Sequence, residues 1–200
     1  MYVRSYVISF DHREAEKLVL AANGVSGLKT IALRPFSIYG EGEKLIVEAA
    51  LKTKQMMFGT KYISLCYVGN MVEWELLAEK SLDEKPKVTA GQAYFVSDEK
   101  TQVDTRISLT KLLVEALKLE GWKQINAPVF HVLCAIVPIV DWLTCGKLEG
   151  PIMQLGPGSA SFTLDEARLD ISKGIRDLGY TMKYNKQDIK RILASYYEIK

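Results

Sequence analysis

Apolar residues at Ala15, Leu18, Val19 and Ala22 recur at intervals of three and four, the stripe of a helix with one buried face. Asn23-Gly24 supplies a left-handed residue to end it, so a helix is predicted over 13–23. The residues before it, YVISFDH (6–12), read as a short extended piece. LKTIAL (28–33), β-branched and bounded by Gly27 and Pro35, has the pattern of a fully buried strand. Residues 44–55 return to helical spacing, and YISLCYVGN (62–70) is extended again. Asn70, with Glu73 three residues later, resembles a capping box and is expected to cap a helix running through MVEWELLAEKSL. GQAYFVSDE (91–99) reads as another buried strand. SLTKLLVEALKLEG (108–121) reads as a helix with Ser108 at its cap and Gly121 beyond its end.

Helices and strands therefore alternate, which predicts an α/β fold with a mainly parallel sheet. The chain opens on a helix and offers few strands, like the later part of a doubly wound fold. The 13–23 helix is expected to pack on strands encoded upstream of Met1. The stretch PVFHVLCAIVPIVDWLTC (128–145) is the most apolar of all. His131, Pro138 and Asp141 interrupt it short of the roughly 20 residues needed to span a bilayer. A core helix and a helix lying in a membrane surface with Trp142 at the interface both remain open. A Gly-rich loop (GPGSASF, 156–162), SKGIRDLGY (172–180) and a terminal helix follow.

Charge narrows the partners. Lys+Arg 26 against Asp+Glu 24 leaves +2, with both signs mixed along the chain, which argues against nucleic acid. Three cysteines (Cys66, Cys134, Cys145) have no CxxC spacing and only two histidines accompany them. No metal site or disulfide framework is expected, and a reducing, intracellular setting is. No signal peptide is read in the first residues.

Few residues advertise chemistry. Gly40 and Gly42 lie in GEGE, whose carboxylates would repel a phosphate, so a turn is expected. Glu73 and Glu75 are two apart and point to different helix faces, unsuited to paired acid–base work. His131 has Ala135 at i+4 and reads as a buried, hydrogen-bonded histidine; Cys66 reads as a strand core residue.

LRPFSIYGEGE (33–43) resembles the strand-end segment of extended short-chain dehydrogenase/reductases, and specifically of the 3β-hydroxysteroid dehydrogenase/isomerase family. AEKLVLAANG (15–24), YVGNMVEWELLAEKSL (67–82), AGQAYFVSDE (90–99) and RDLGY (176–180) agree in order with the same family. The resemblance implies the C-terminal part of a Rossmann-like enzyme. Residues 1–107 would be a partial Rossmann-like region of late strands and helices. Residues 108–200 would be a mostly helical lobe for substrate and membrane, with 128–145 where the family carries a membrane-associated segment. It further implies NAD as cofactor, a sterol or steroid as substrate, hydride transfer at a 3β-hydroxyl in steroid biosynthesis, and an endoplasmic reticulum membrane setting. Arg34 and Pro35 would contact the cofactor; Phe36 and Tyr39 would line the substrate pocket. The family's Gly-rich NAD turn has no counterpart in the first half of the chain. Its Tyr-x-x-x-Lys pair, expected just before the 15–24 block, meets Ile8 and His12 instead. No catalytic residue is therefore assigned, and the chain alone is expected to be inactive. A non-catalytic sterol-binding or membrane module, docking on a protein partner or on a missing N-terminal half, stays open, as does a fragment of another extended reductase or epimerase.

Overall fold

The computed structural model describes residues 2–35, 37–44, 47–48, 51, 55–56, 64–98, 105–119, 123–124, 127–147 and 169–198, with backbone alone at 2–11, 55–56, 105–110, 123–124 and 127. The fold is α/β, as the alternation predicts. The strands are β1 (Ile31–Pro35), β2 (Ser37–Tyr39), β3 (Gln55–Met56), β4 (Leu65–Tyr67), β5 (Gln92–Val96) and β6 (Lys123–Gln124). The helices are α1 (Tyr2–Ala21), α2 (Val68–Glu84), α3 (Pro86–Thr89), α4 (Thr105–Ala116), α5 (Ala127–Leu143), α6 (Ser172–Leu178) and α7 (Lys186–Tyr196). Among the described residues the strands pair as β1 with β5, β2 with β4 and β3 with β6, all in parallel. Two compact units interleave along the chain. The first comprises Met1–Gly40, Ser64–Thr101 and Leu169–Asn185; the second comprises Glu41–Ile63, Gln102–Arg168 and Lys186–Lys200.

The first unit is built around β1 and β5, aligned from Ile31 opposite Gln92 to Pro35 opposite Val96. Its core gathers Cys66, Met71, Trp74, Ala78, Tyr94, Val96, Ile171, Leu178 and Tyr180. Trp74 is fully buried, stacks on Tyr180 at 3.8 Å between ring centres, and donates its Nε1–H to the Ser97 carbonyl at 3.2 Å. β1 is half-buried along its length rather than fully buried, and is shifted three residues from its expected start. Pro35, at its last position, costs the ladder little because it stands at the strand end. α2 closes at Lys85, where Pro86 starts α3 in the first helical position that proline tolerates.

α1 is longer than the sequence pattern suggests. Residues 6–12 are helical, not extended. No glycine or proline interrupts the chain from Tyr2 to Ala21, so a helix once formed has no stop before Asn23-Gly24. Gly24 has φ 88°, the left-handed conformation expected at that end. The stripe expected to be buried is turned outward: Leu18 is 73% and Val19 47% exposed, while on another side of α1 Glu16 pairs with Arg34 of β1.

In the second unit, α4 and α7 lie against each other, burying Leu113 and Leu193 and pairing Glu115 with Lys190 at 2.8 Å. α4 begins at Thr105, so Ser108 lies inside it rather than capping it; Gly121 is outside the described residues. α5 buries Phe130, Cys134 and Val137, one stripe at helical spacing. His131 is exposed, not buried: one residue along from Phe130, it is turned about 100° off that stripe. Most of 44–55, and the 156–162 loop, lie outside the described residues, although Val47 and Glu48 are helical.

A Cβ added at Gly174 would stand 2.6 Å and 2.8 Å from two ring atoms of Trp74. Gly174→Ala is expected to destabilise the protein by about 1–3 kcal/mol, the range for overpacking a rigid core. Chemical denaturation followed by tryptophan fluorescence measures this, and an unchanged midpoint would show that the ring has room to move.

Candidate functional site

Ligands of open parallel α/β sheets bind beyond the carboxyl ends of the strands. In this chain that edge carries the end of β1 (Arg34, Pro35), then β2, and the residues just after β5 (Ser97, Asp98). The four site residues expected from the sequence are placed differently there. Arg34 donates from Nε to Glu16 Oε2 at 2.7 Å, makes a second bond to the same carboxylate, and stacks its guanidinium over Phe95 at 5.4 Å. That pairing raises the Arg34 pKa and lowers that of Glu16. Pro35 is half-buried in the strand pair. Tyr39 is buried, at 5% exposure, and donates its hydroxyl to Asp98 Oδ2 at 3.3 Å. Phe36 lies outside the described residues.

Asp98 is the residue that the sequence reading missed. Its carboxylate accepts the Tyr67 N–H at 2.9 and 3.1 Å, the Asn70 side-chain amide at 2.9 Å and the Tyr39 hydroxyl. Its own N–H donates to the Leu65 carbonyl at 3.0 Å, and its carbonyl accepts the Tyr180 hydroxyl at 3.5 Å. The cap of α2 is thus corrected. Tyr67, in extended conformation, is the N-cap residue, and no side chain of its own segment caps the helix. The negative charge at this helix start comes from 31 residues downstream instead. Asn70, inside the helix, uses its amide as a clamp. It donates to Asp98 and to the Tyr184 carbonyl at 3.1 Å, and accepts the Tyr184 N–H at 2.9 Å. Glu73 pairs with Lys183 instead of completing a capping box. The available clue was an acid placed directly after an apolar strand, in FVSD, together with an amide in the first turn of an otherwise apolar helix.

This arrangement bears on a nucleotide cofactor. A pyrophosphate is held by free N–H groups at the start of a helix that follows a strand. The β4–α2 junction has that connectivity, but Asp98 sets a carboxylate against Tyr67, the residue just before the helix, where a second anion is repelled. Arg34 is already neutralised by Glu16, and Pro35 has no N–H to offer. The described residues of this strand edge therefore suit a dinucleotide's pyrophosphate poorly. The phenols are likewise held back. Burial, reinforced by Asp98, pushes Tyr39 well above the usual phenol range. Burial also raises Tyr180 and the Cys66 thiol. Burial first, and Asp177 beside it second, push Tyr94 up to about 12. A proton-transferring phenol must move the other way. One Tyr-x-x-x-Lys spacing does occur, Tyr196 to Lys200, but Tyr196 is an exposed residue at the end of α7 and Lys200 lies outside the described residues. Among the described residues no group of three or more His, Cys, Asp and Glu side chains is placed to hold a metal.

The sequence profile of the 3-beta hydroxysteroid dehydrogenase/isomerase family matches residues 4–129. A 3beta-hydroxysteroid-dehydrogenase/decarboxylase (isoform 1) of Arabidopsis thaliana is 29% identical over 94% of this chain and 45% of its own length. A 3 beta-hydroxysteroid dehydrogenase/Delta 5-->4-isomerase of Mycobacterium tuberculosis is 29% identical over 92% of this chain and 50% of its own. The chain thus spans about half the length of the curated relatives it matches. Among solved structures, RMD of Pseudomonas aeruginosa, complexed with NADPH, superposes with a TM-score of 0.55 at 15% identity, over 93% of this chain and 53% of that one. That likeness shows a Rossmann-like α/β fold.

The raised phenols predict the alkaline limb of stability. The unfolded chain ionises its tyrosines near pH 10, whereas the folded chain holds Tyr94 protonated to about 12. This contribution is complete below pH 10 and lost as pH rises from about 10 to 12. Absorbance at 295 nm should show Tyr94 titrating near the upper end, and Asp177→Asn should move it downward. An unmoved titration would sink the assigned cause.

Proposed function

The chain belongs to the 3-beta hydroxysteroid dehydrogenase/isomerase family, and from that membership we propose that it carries the late strands and substrate lobe of an NAD-dependent dehydrogenase acting on the 3β-hydroxyl of a sterol or steroid. The reaction class moves a hydride from the carbinol carbon to nicotinamide and the hydroxyl proton to a base. In this reading the chain's own share is to seat the substrate. In it, Arg34 and Pro35 at the end of β1 serve the cofactor, and Tyr39 serves the substrate. The base and the pyrophosphate site lie outside the described residues, and in this reading the chain alone binds substrate without turning it over.

The observation that carries the substrate class is the outer side of α5. Val129, Val132, Ile136, Ile139, Trp142 and Leu143 are 48–77% exposed, opposite the buried Phe130, Cys134 and Val137. Asp141 is the only carboxylate between Ala127 and Leu143, and no lysine or arginine falls there. Such a helix offers nothing to the phosphates of a sugar nucleotide and suits an apolar molecule drawn from a bilayer. No described helix is long and apolar enough to cross a membrane, so the contact proposed is with its surface. The endoplasmic reticulum, where sterols are made, is the membrane in this reading.

Two measurements test it. A fluorescent 3β-hydroxysterol titrated into the 200-residue chain should bind saturably, while absorbance at 340 nm with NAD should show no NADH. Turnover proportional to chain concentration would place the base inside the chain, and absence of saturable binding would overturn the substrate assignment. In vesicle flotation, Val132→Asp with Ile136→Asp should cut the bound fraction at least about tenfold, given the cost of charge at an apolar interface. Undiminished flotation would remove α5 from the membrane contact.

A further inference from the structure

We infer that Asp98 is a positioning residue for the candidate site, fixing where the Tyr39-bearing strand β2 stands beside the carboxyl end of β1. Each of its polar groups is committed to a different piece of backbone or side chain. The N–H holds β4 through Leu65, and the carboxylate holds the start of α2 through Tyr67 and Asn70. The same carboxylate holds β2 through Tyr39, and the carbonyl meets Tyr180. Strand β2 has only three residues, paired to β4 from Ser37 opposite Leu65 to Tyr39 opposite Tyr67. A ladder that short fixes its own register weakly. The side-chain bond from Tyr39 to Asp98 therefore supplies a tie that the ladder lacks. The Tyr67 ring, 5.8 Å from the Tyr39 ring and 5.7 Å from the Tyr184 ring, fills the space behind it. Asp98 is in this sense no acid–base group. Its lone pairs are spent on keeping the substrate-side wall in register with the strand end, and its effect on a ligand passes through Tyr39.

The substrate half of this statement rests on the sterol reading above, and the experiment separates the two. Tyr39→Phe deletes one hydroxyl and keeps the ring; Asp98→Asn keeps the shape and disturbs the donors' acceptor. A purely structural bond would lower the Tm and leave the sterol Kd of the folded chain unchanged. A positioning role predicts that Tyr39→Phe weakens sterol binding about three- to tenfold, the weight of one hydrogen bond, at a temperature where the chain stays folded. Hydrogen exchange gives the ligand-free readout. Both substitutions should speed exchange of the amides at 37–40, with those of β1 and β5 unaffected. Wild-type binding with an unchanged Kd in Tyr39→Phe overturns the inference while leaving the sterol reading intact. No wild-type sterol binding overturns that reading, and the exchange pattern then decides alone. Selective loss of protection at 37–40 supports the positioning role, and uniform loss or none overturns it.

Discussion

The first unit depends on the burial of one large side chain. Trp74 lies on the inner face of α2, fully enclosed, with Tyr180 stacked on one side and Gly174 of α6 closing against its far edge. An aromatic of this size takes on the order of 200 Å² from water, the largest apolar contribution a single residue makes. Its one polar atom is satisfied by the Ser97 carbonyl, immediately past β5. The indole therefore does two things at once: it anchors α2 over the sheet and fixes where the chain emerges from β5. Asp98, the next residue, falls beside the first turn of α2 because Ser97 is held there. The carboxylate's role as a cap follows from the packing of the tryptophan.

Filling the start of α2 in this way has a chemical consequence. A helix that follows a parallel strand is a ready anion site, and a protein that sets its own carboxylate beside that start makes it less welcoming to a phosphate. Burial raises the neighbouring phenol of Tyr39, and the same carboxylate adds to the rise by disfavouring a second negative charge. Arg34, the cation nearest the end of β1 in sequence, is matched by Glu16. The polar groups around this strand end are spent on one another. That is good for a register-sensitive scaffold, and it leaves acid–base work to other residues.

Much of this was written in local pattern, and some could not be. GQAYFV became β5, Gly24 ended α1, and the LRP segment became the end of β1, because each is decided by alternation, a positive φ or a missing N–H within a few residues. Residues 6–12 misled because YVISF is β-branched and aromatic like a strand, whereas the absence of a breaker through Ala21 let the helix win. Asn70 looks like a cap for the right local reason, yet its amide serves Tyr184, 114 residues away, and the cap comes from Asp98. His131 failed by a single position on the helical wheel. The resemblance of whole blocks located the family where no single pattern would. It could not say that Arg34 faces Glu16, because that pairing depends on which side of α1 meets the sheet.

That side is the revealing one. α1 turns Glu16 toward β1 and leaves Leu18 and Val19 to solvent, the reverse of an ordinary surface helix. α5 also exposes apolar residues, but the two faces differ in kind. On α1 the exposed pair is bordered by Glu14, itself tied to Lys17, and on its other edge by His12 and Glu16. A mixed rim of that sort is what a protein surface can match with charges of its own. α5 is apolar on both sides, one buried and one open, and between Ala127 and Leu143 its ionisable residues are the buried Cys134, His131, exposed, and Asp141, half-exposed near the far end beside Trp142. With so few charges to pair, a polar partner would gain little there, while an acyl environment would lose little. The case for a bilayer therefore belongs to α5 alone, and exposed apolar surface on α1 adds no weight to it.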